Sequence, residues 1–581
     1  MSRMQQDLAA AQPNTKTPNG NSSTKSKPGM LRQALKSGAK PHVCIIGAGF
    51  AGLRCADILL QQGVKVTIFE ARNRIGGRLC QAKVGDHLVD LGPNWIHGTE
   101  NNPILDLVKE TGTQTHSWGE RQVTFDPEGN LMPEEDVAKV SESMWELIGK
   151  AFKHSNANSA TIPASESLLD FIKEHADEQL RESFPIEYQA SKDGKNEQVK
   201  MSKKELLLSL SEQWGSFVGG SVETQSLKFF WLEECLDGEN LFCAGTYAKV
   251  LELVAKPALA GADVRFEHVV TKIRSEEQEG NPRVTIETAN GVSESFDEVV
   301  VTTPLGWLKR NQHVFEPDLP ERIVQGIDSL GYGNLDKVYI TFPKAFWNDP
   351  IPEPQQNGHP LTKSQHHIPN TTSTTTPLHH PNSPSQNGTD PHPTIPNPTQ
   401  NYPGFTNFLA HPSANPTNPN SQHQECLNLA AMPTPSAHPT LLFYTTGPTS
   451  TKTSTLLKTH STSPTTLRKA LLSLFNPYIS LLPNYTSANP ACTPVDILAT
   501  GWENDEFAGY GSYTNFPVGL EGGEGDVLAL RGGVVERGVW FAGEHTAPFV
   551  ALGTVTGAYW AGEGVGRGIL EGWGLGEEGK G

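Results

Sequence analysis

Apolar and polar positions begin to alternate regularly at His42, after a leader of mostly polar residues. The segment "HVCIIGAG" predicts a short apolar strand, "AGLRCADILLQQG" a helix that ends on glycine, and "KVTIFEA" a second strand, which together make a compact βαβ unit. Helical spacing returns in "LLDFIKEHADEQL" and "LRKALLSLF". The segment "PRVTIETANGVSESFDEVVVTTP" predicts two strands joined by an Asn-Gly turn, then a buried strand of valines. This alternation predicts an α/β fold.

Two stretches lack this pattern. Residues 1–40 contain no continuous apolar core, which predicts a disordered leader and not a secretory signal. Residues 349–440 are rich in Pro, Asn, Thr, Ser and His, which predicts a low-complexity insertion that is mostly disordered, except for a strand in "GFTNFLAH" at 404–411. About half of the 19 histidines lie there, but their irregular spacing among prolines favours a solvated loop, so no metal is expected.

The composition narrows the classes of function. A chain of 581 residues exceeds the size at which one core keeps growing, so two or more domains are expected. The formal net charge of -18 argues against general nucleic-acid binding and is compatible with small cationic ligands. The seven cysteines have neither disulfide-framework nor zinc spacing, and no apolar run reaches the length of a membrane span. A cytoplasmic location is expected, with a nuclear one as the alternative.

The glycines of "GAGFAG" have the spacing GxGxxG between a strand and a helix. Gly47 permits the tight turn, Gly49 lets the backbone approach a pyrophosphate, and Gly52 allows close packing of the helix. Glu70 closes the second strand at the offset expected of a carboxylate that bonds ribose hydroxyls, and an acid there disfavours a 2′-phosphate. The unit therefore predicts a dinucleotide site with the pyrophosphate at the helix N-terminus.

The segment "EARNRIGGR", residues 70–78, resembles the second signature of the flavin-containing amine oxidases. The resemblance covers roughly residues 41–347 and 441–570 and is close to the polyamine oxidase branch. It implies a doubly wound, Rossmann-like FAD-binding domain with an inserted substrate domain of mixed sheet and helices. It also implies that Arg72, Gly77 and Arg78 bind FAD, with Arg78 at the pyrophosphate.

Three more segments carry the resemblance to the cofactor site. "WFAGEHTA" is similar to the C-terminal flavin motif, in which Glu544 would bond the ribityl chain and the following helix would point its N-terminus at the flavin. "ADVRFEHVVTKI" is similar to the segment whose backbone meets the adenine. "ILATGWENDEFAGYGSYTNFPVG" is similar to the segment in front of the flavin ring. The cofactor residues that these segments imply are Gly543, Glu544, Val555, Val270 and Trp502.

Lys337 and His97 are the main catalytic candidates. Lys337 lies among aliphatic strand residues, and because a buried lysine is costly, it is either at a strand edge or functional. The resemblance implies that it holds a water facing flavin N5. His97 follows Trp95, which the family places against the flavin ring, and is implied to face the amine, where the alternative is a histidine that only shapes a bend. A modest pKa shift of His97 would make activity depend on pH near neutrality.

Other residues are implied to line the substrate site. Tyr513 would help position the amine, and Thr554 takes the place of the second aromatic wall that several family members carry. Acids cluster in "KFFWLEECLDGEN", and Glu233 is the candidate among them to bind an ammonium group, although such clusters are more often solvated. The stretch "AGYGSYT" lacks the cysteine through which monoamine oxidases hold FAD, so the flavin is expected to be noncovalent.

The resemblance implies an FAD-dependent polyamine oxidase. Spermine- or spermidine-type amines would transfer hydride to flavin N5, water would hydrolyse the imine to aldehyde and amine, and O2 would be reduced to H2O2. One alternative is a lysine-specific histone demethylase, disfavoured by the short polar leader and the proline-rich insertion. A catalytically silent FAD-binding interaction protein is the other, disfavoured by the presence of Lys337, His97 and Trp502 together.

The same resemblance predicts how the domains divide the chain. After the leader at 1–40, the FAD-binding domain is expected at 41–95, 241–305 and 491–572. The substrate domain is expected at 96–240, 306–348 and 441–490, interrupted by the insertion at 349–440. Residues 573–581 are expected to form a flexible tail.

Overall fold

The computed structural model describes residue 32 and residues 40–119, 121–184, 201–278, 281–349, 401–412 and 423–576. Its strands are β1 His42–Ile46, β2 Lys65–Phe69, β3 Gln81–Val84, β4 His87–Asp90, β5 Trp95–Ile96, β6 Gln122–Phe125, β7 Leu241–Phe242, β8 Asp263–Arg265, β9 Val270–Gln278, β10 Asn281–Thr288, β11 Ser293–Phe296, β12 Glu298–Val301, β13 Phe315–Glu316, β14 Gly331–Gly333, β15 Asp336–Thr341, β16 Phe405–Phe408, β17 Gln424–Asn428, β18 Thr440–Thr445, β19 Asp496–Ala499, β20 Tyr513–Asn515 and β21 Val539–Phe541.

The α-helices of the described residues alternate with these strands. They are α1 Phe50–Gln61, α2 Pro103–Thr111, α3 Glu134–Asn158, α4 Leu168–Ser183, α5 Lys203–Val218, α6 Ala248–Gly261, α7 Leu305–Arg310, α8 Glu321–Ser329, α9 Gly447–Thr459, α10 Pro464–Ile479, α11 Gly523–Gly532 and α12 Val555–Gly572. None of them is long and apolar enough to cross a membrane.

A five-stranded parallel sheet in the order β21-β12-β1-β2-β8 forms the centre of the first unit. Its inner strands are buried on both faces, as the continuous apolar runs in β1 and β12 predict. Helices α1, α6 and α12 pack on one face, and the sheet β11-β10-β9-β13 with α8 and α11 lies on the other. The α/β fold with a parallel sheet and helices on both sides is thereby confirmed.

A six-stranded mixed sheet in the order β19-β15-β18-β17-β16-β6 forms the second unit. One face packs against α10 through Phe443 and Phe475, whose ring centroids are 5.0 Å apart. The other face carries Tyr339, Leu442 and Tyr444 and packs against Val84 of β3, Val89 of β4 and Phe242 of β7. Helices α3, α4 and α5 form a separate apolar cluster beside it.

The region assigned to the insertion contributes two strands to this sheet. The strand expected within 404–411 is confirmed as β16. Strand β17 was not expected, because its sequence "QECLN" has little apolar character; it forms because β16 and β18 pair with it on both sides and satisfy its backbone hydrogen bonds. Residues 350–400 and 413–422 lie outside the described residues, as does most of the leader, so the predicted disorder of these stretches stays a prediction.

Candidate active site

The N-terminus of α1 forms a cradle built from three glycines. Gly47 has φ +109°, and a Cβ there would lie 2.6 Å from Thr302 Oγ1. A Cβ on Gly52 would lie 2.2 Å from the Gly47 carbonyl oxygen. Gly49, the N-cap of α1, has no side-chain cap, and a Cβ there would meet no atom within 4 Å. The helix therefore presents free backbone N–H groups to open space, which suits a phosphate group.

Glu70 lies at the end of β2, next to this cradle, and is 6% exposed. Its carboxylate accepts hydrogen bonds from Ala48 N at 2.7 Å and Arg72 N at 2.8 Å. Each carboxylate oxygen keeps a second acceptor position, so hydroxyl groups can still bind there. The segment that precedes Val270 lies alongside, because His268 N donates to the Glu70 carbonyl oxygen at 2.9 Å. The geometry thus brings Glu70 and Val270 to one end of the cradle.

Arg78 joins three segments that are far apart in sequence. Its Nη1 donates to Glu544 Oε1 at 2.9 Å and to the Ser512 carbonyl oxygen at 2.7 Å. Glu544 is 4% exposed and adjoins Thr514, whose hydroxyl lies 3.3 Å from Oε1. Gly77 lies beside Gly49, since a Cβ on Gly77 would be 3.5 Å from Gly49 Cα. The two signature segments and the C-terminal motif therefore meet at one place.

Arg72, a candidate to bind the cofactor, and Thr554, a candidate to line the substrate site, both have hydrogen-bond partners within the protein. Arg72 donates to Asp505 Oδ1 at 2.7 Å, and its guanidinium lies 5.3 Å from the centre of the Phe507 ring. Thr554 is the N-cap of α12, with its hydroxyl accepting from Gly557 N at 3.0 Å, just before Val555 opens the helix. Both side chains have a structural role, and their contacts with cofactor or substrate stay predictions.

Lys337 lies on β15, between β18 and β19, so the alternative that it is a strand-edge lysine is wrong. Its side chain is 4% exposed. Nζ lies 3.5 Å from the Leu91 carbonyl oxygen and 5.7 Å from the centre of the Tyr444 ring. Burial lowers the pKa of Lys337 well below the ordinary value of a lysine, an effect that Asp90 opposes. An ammonium with one weak hydrogen bond in a buried place is typical of a functional group.

A hydrogen-bonded chain that sequence reasoning missed surrounds Lys337. Trp95 Nε1 donates to Tyr444 Oη at 3.1 Å, and Tyr444 Oη donates to Asn94 Oδ1 at 2.9 Å. Asn94 Nδ2 lies 3.3 Å from Tyr339 Oη, which donates to the Asp90 carbonyl oxygen at 2.6 Å. The chain fixes the plane of the Trp95 indole against the six-stranded sheet. Its members lie on separate segments, and no local motif in the sequence could have grouped them.

His97 lies at the start of the turn after β5 and is partly exposed. Its carbonyl oxygen accepts from Asn102 Nδ2 at 3.1 Å, and the same asparagine caps α2 through Ile104 N. Burial lowers the pKa of His97 to about 4. This lowered pKa favours a neutral imidazole near pH 7, and the expectation that activity depends on pH through His97 stays a prediction. A neutral ring nitrogen can accept a hydrogen bond from an ammonium group.

Tyr513 and Glu233 lie together on the side of the helical cluster. Tyr513 Oη donates to the Phe217 carbonyl oxygen. Burial raises the pKa of the Tyr513 phenol, and the nearby carboxyl group of Glu233 raises it further. Trp214 Nε1 donates to Glu233 Oε2 at 3.2 Å. Burial raises the pKa of Glu233 to about 8 and that of Glu234 to about 7. Glu233 Oε1 is buried and has no hydrogen-bond partner among the described residues, so Glu233 is not part of a solvated face.

Asp336 holds the segment that carries Trp502 against β15, and it is fully buried. Its Oδ1 accepts from Thr500 Oγ1 at 2.7 Å and from Trp502 N at 2.9 Å, and its Oδ2 accepts from Ser450 Oγ at 2.6 Å. Trp502 is 7% exposed as a result of this anchoring. Sequence reasoning also missed Asp336, although it immediately precedes Lys337.

We expect Asp336→Asn to lower the free energy of unfolding by about 1.5 kcal/mol, because an amide offers one acceptor oxygen where the carboxylate offers two. Denaturation of the variant in urea, followed by tryptophan fluorescence, would give a lower midpoint with an unchanged slope. Asp318→Asn is the matched control, since Asp318 is exposed. Equal midpoints for the two variants would contradict the anchoring role of Asp336.

The family model described as "Flavin containing amine oxidoreductase" matches residues 50–389. The chain is 29% identical over 324 residues to "Probable polyamine oxidase 4" of Arabidopsis thaliana, covering 54% of this chain and 60% of that protein. It is 28% identical over 340 residues to "Lysine-specific histone demethylase 1B" of Mus musculus, covering 56% of this chain and 37% of that protein.

A solved structure of a putrescine oxidase double mutant, made to redesign cofactor binding, superposes with a TM-score of 0.59 at 15% sequence identity. The superposition covers 91% of this chain and 99% of that chain, which shows a shared fold. The sequence alignment with the polyamine oxidase relative covers less of this chain, and this chain spans 60% of the length of that protein.

Proposed function

Because the chain belongs to the family of flavin-containing amine oxidoreductases, we propose that it is an FAD-dependent polyamine oxidase. The observation that carries the proposal is the placement of Lys337. The side chain of Lys337 is buried on an inner strand and lies against the Tyr444 ring. It is next to the series of hydrogen bonds that holds Trp95 in place. A structural explanation for such a lysine would need a close carboxylate partner, and none of the described carboxylates lies within 4 Å of its Nζ.

The residues of the cradle fit FAD. The free N–H groups of α1 suit its pyrophosphate, the acceptor positions of Glu70 suit its ribose, and Glu544 with Arg78 suits its ribityl and phosphate groups. The stretch 508–514 contains no cysteine, which supports noncovalent binding. When bound, FAD supplies the acceptor for hydride from the amine and the donor of electrons to O2.

The chain's own residues would bind and orient the amine. His97, neutral because burial lowers its pKa to about 4, would accept a hydrogen bond from an ammonium group. Tyr513 and Trp95 would confine the alkyl chain, and the aromatic cover of the sheet would exclude bulk water. Lys337 would hold a water and exchange a proton with it, for hydrolysis of the imine to aldehyde and amine or for reduction of O2 to H2O2. Glu233 would face a further ammonium group.

The match to a lysine-specific histone demethylase favours a second candidate, oxidation of a methylated lysine in a peptide. A polyamine oxidase and a lysine demethylase would use the same cofactor site. They would differ in the substrate that binds beside Lys337, which is a free polyamine in the first and a methylated lysine of a peptide in the second. A silent FAD-binding protein would keep the cradle and bind no amine near Lys337.

We expect polyamines to reduce the bound flavin rapidly in the absence of oxygen. The measurement is anaerobic stopped-flow reduction of the yellow protein by spermine, spermidine, N1-acetylspermine and a monoamine, followed at the flavin absorbance maximum. A methylated histone peptide and a photochemical electron donor are the two comparisons. Reduction by the peptide alone would favour the demethylase candidate, and reduction by the photochemical donor alone would contradict both enzymatic candidates.

A further inference from the structure

The register of the six-stranded sheet places four polar residues in one row. Lys337 on β15 lies opposite Tyr444 on β18, Tyr444 lies opposite Glu425 on β17, and Glu425 lies opposite Asn407 on β16. Residues directly opposite in antiparallel strands project from the same face of a sheet. Side chains of this row therefore share one face, which extends from Lys337 across three neighbouring strands.

This face is the one that packs against Val84 of β3, Val89 of β4 and Phe242 of β7. Trp95 covers it, with its Nε1 on Tyr444 Oη at 3.1 Å and its ring parallel to that of Phe405, with centroids 6.4 Å apart. Phe405 lies two positions before Asn407 on β16 and so shares its face. The neighbouring positions Cys426 and Phe443 lie on the opposite, apolar face. Glu425 is therefore directed to the same side as Lys337 and not into the core against α10.

Glu425 has no partner that explains its burial. Its side chain is 5% exposed, and within the described ranges no residue donates a hydrogen bond or an ion pair to its carboxylate. Burial raises its pKa to about 7. A buried carboxylate without a donor is costly unless a cation or a hydrogen-bond donor completes the site.

We propose that Glu425 binds the distal ammonium group of a diamine or polyamine whose reacting amine lies beside Lys337. Two strand spacings separate the backbones of Glu425 and Lys337, which is about 10 Å. The ring of Tyr444 lies between them and offers an aromatic surface for the methylene chain and its cationic end. The proposal deepens the proposed function and rests on it, because it selects amines with a second charge at a fixed distance from the first.

One further group at the end of the row, the imidazole of His423, has unused hydrogen-bonding capacity. His423 Nε2 lies 3.1 Å from Asn407 Oδ1, while His423 Nδ1 is buried and has no partner among the described residues. Burial lowers the pKa of His423 to about 4, so this nitrogen does not compete as a cation for Glu425. A longer polyamine would place its next amine beyond Glu425, against this neutral imidazole.

The test compares Glu425→Gln with the unmodified holoenzyme in anaerobic flavin reduction by spermidine, by α,ω-diamines of increasing length and by n-alkyl monoamines. Without the charge, the apparent Kd for spermidine and the longer diamines should rise roughly tenfold to a hundredfold, the range for losing a charge-assisted hydrogen bond. The monoamines and the limiting reduction rates should change less than twofold. Glu212→Gln is the matched control, since Glu212 is also a carboxyl whose pKa is raised by burial but lies on α5.

An equal change for monoamines and diamines, or no change for either, would overturn the role of Glu425. Glu425→Asp keeps the charge and should retain discrimination against monoamines, which covers the case in which the glutamine variant does not fold. If no amine reduces the flavin at all, the proposed function fails. In that case, calorimetric titration of the oxidised holoprotein with spermidine still tests the ammonium site. Weaker binding to Glu425→Gln, with unchanged binding to Glu212→Gln, supports the site. Equal binding to Glu425→Gln and to the unmodified protein refutes it.

Discussion

Lys337→Met is expected to slow aerobic turnover roughly a hundredfold, within the range that a positioned proton-transfer group contributes. Methionine has nearly the same length and can pack against Tyr444, but it cannot exchange a proton or hold a water. The loss should fall on the reaction of the reduced enzyme with O2 or on imine hydrolysis, because the proposed role of Lys337 lies in those steps. Stopped-flow mixing of the reduced variant with oxygenated buffer separates them from anaerobic reduction by the amine.

The stability of this variant distinguishes a functional lysine from a structural one. Burial lowers the pKa of Lys337, so its ionised form is costly in the folded protein. Replacing it with an apolar side chain should therefore leave the unfolding midpoint unchanged or higher. A lower midpoint together with unchanged oxidation of the reduced enzyme would contradict the proposed role.

The pH profile gives a second readout of the same variant. The ammonium form is the one that can donate a proton, so activity that depends on Lys337 should fall as the pH rises through its lowered pKa. This decrease in activity at higher pH should be missing from the pH profile of Lys337→Met. Lys309→Met is the matched control, because burial also lowers the pKa of Lys309, while its Nζ donates to the Asp328 carbonyl oxygen at 2.8 Å, away from the site.

The sequence was sufficient for the parts of the site that depend on local geometry. Gly47, Gly49 and Gly52 act within one turn, where backbone conformation and close contacts are set by neighbours in sequence. The strands and helices with clear periodicity appear where expected, including β10, β11 and α4. Glu70 also follows this rule, since it comes directly after β2, the second strand of the βαβ unit.

The parts that depend on strand register could not be read from the sequence. Tyr444 lies opposite Lys337, and Glu425 lies in the same row, only because β17 and β18 join the sheet after a long separation in the chain. A shift of one residue would turn each side chain to the other face. The pKa of His97 depends on burial by packed elements, which no motif encodes. Glu425 itself lies in a stretch whose composition predicts an insertion.

Gly49→Ala is expected to weaken FAD binding roughly a hundredfold, about 2.7 kcal/mol, because one methyl group would stand where the pyrophosphate approaches the backbone. The backbone at Gly49 has φ -76° and ψ 177°, which alanine adopts without strain. A Cβ there meets no protein atom within 4 Å, so the folded apoprotein should accept it. Titration of the apoprotein with FAD, followed by quenching of flavin fluorescence, gives the Kd.

Gly564→Ala separates this effect from a general effect of adding a methyl group. Gly564 lies inside α12, and a Cβ there also meets no atom within 4 Å. This control should bind FAD normally and gain about 0.5–1 kcal/mol of stability, because alanine loses less conformational entropy in a helix. Gly49→Ala should keep the stability of the apoprotein and lose affinity alone. An unchanged Kd for Gly49→Ala would mean that the N-terminus of α1 does not hold the pyrophosphate, and the assignment of the cradle would fail with it.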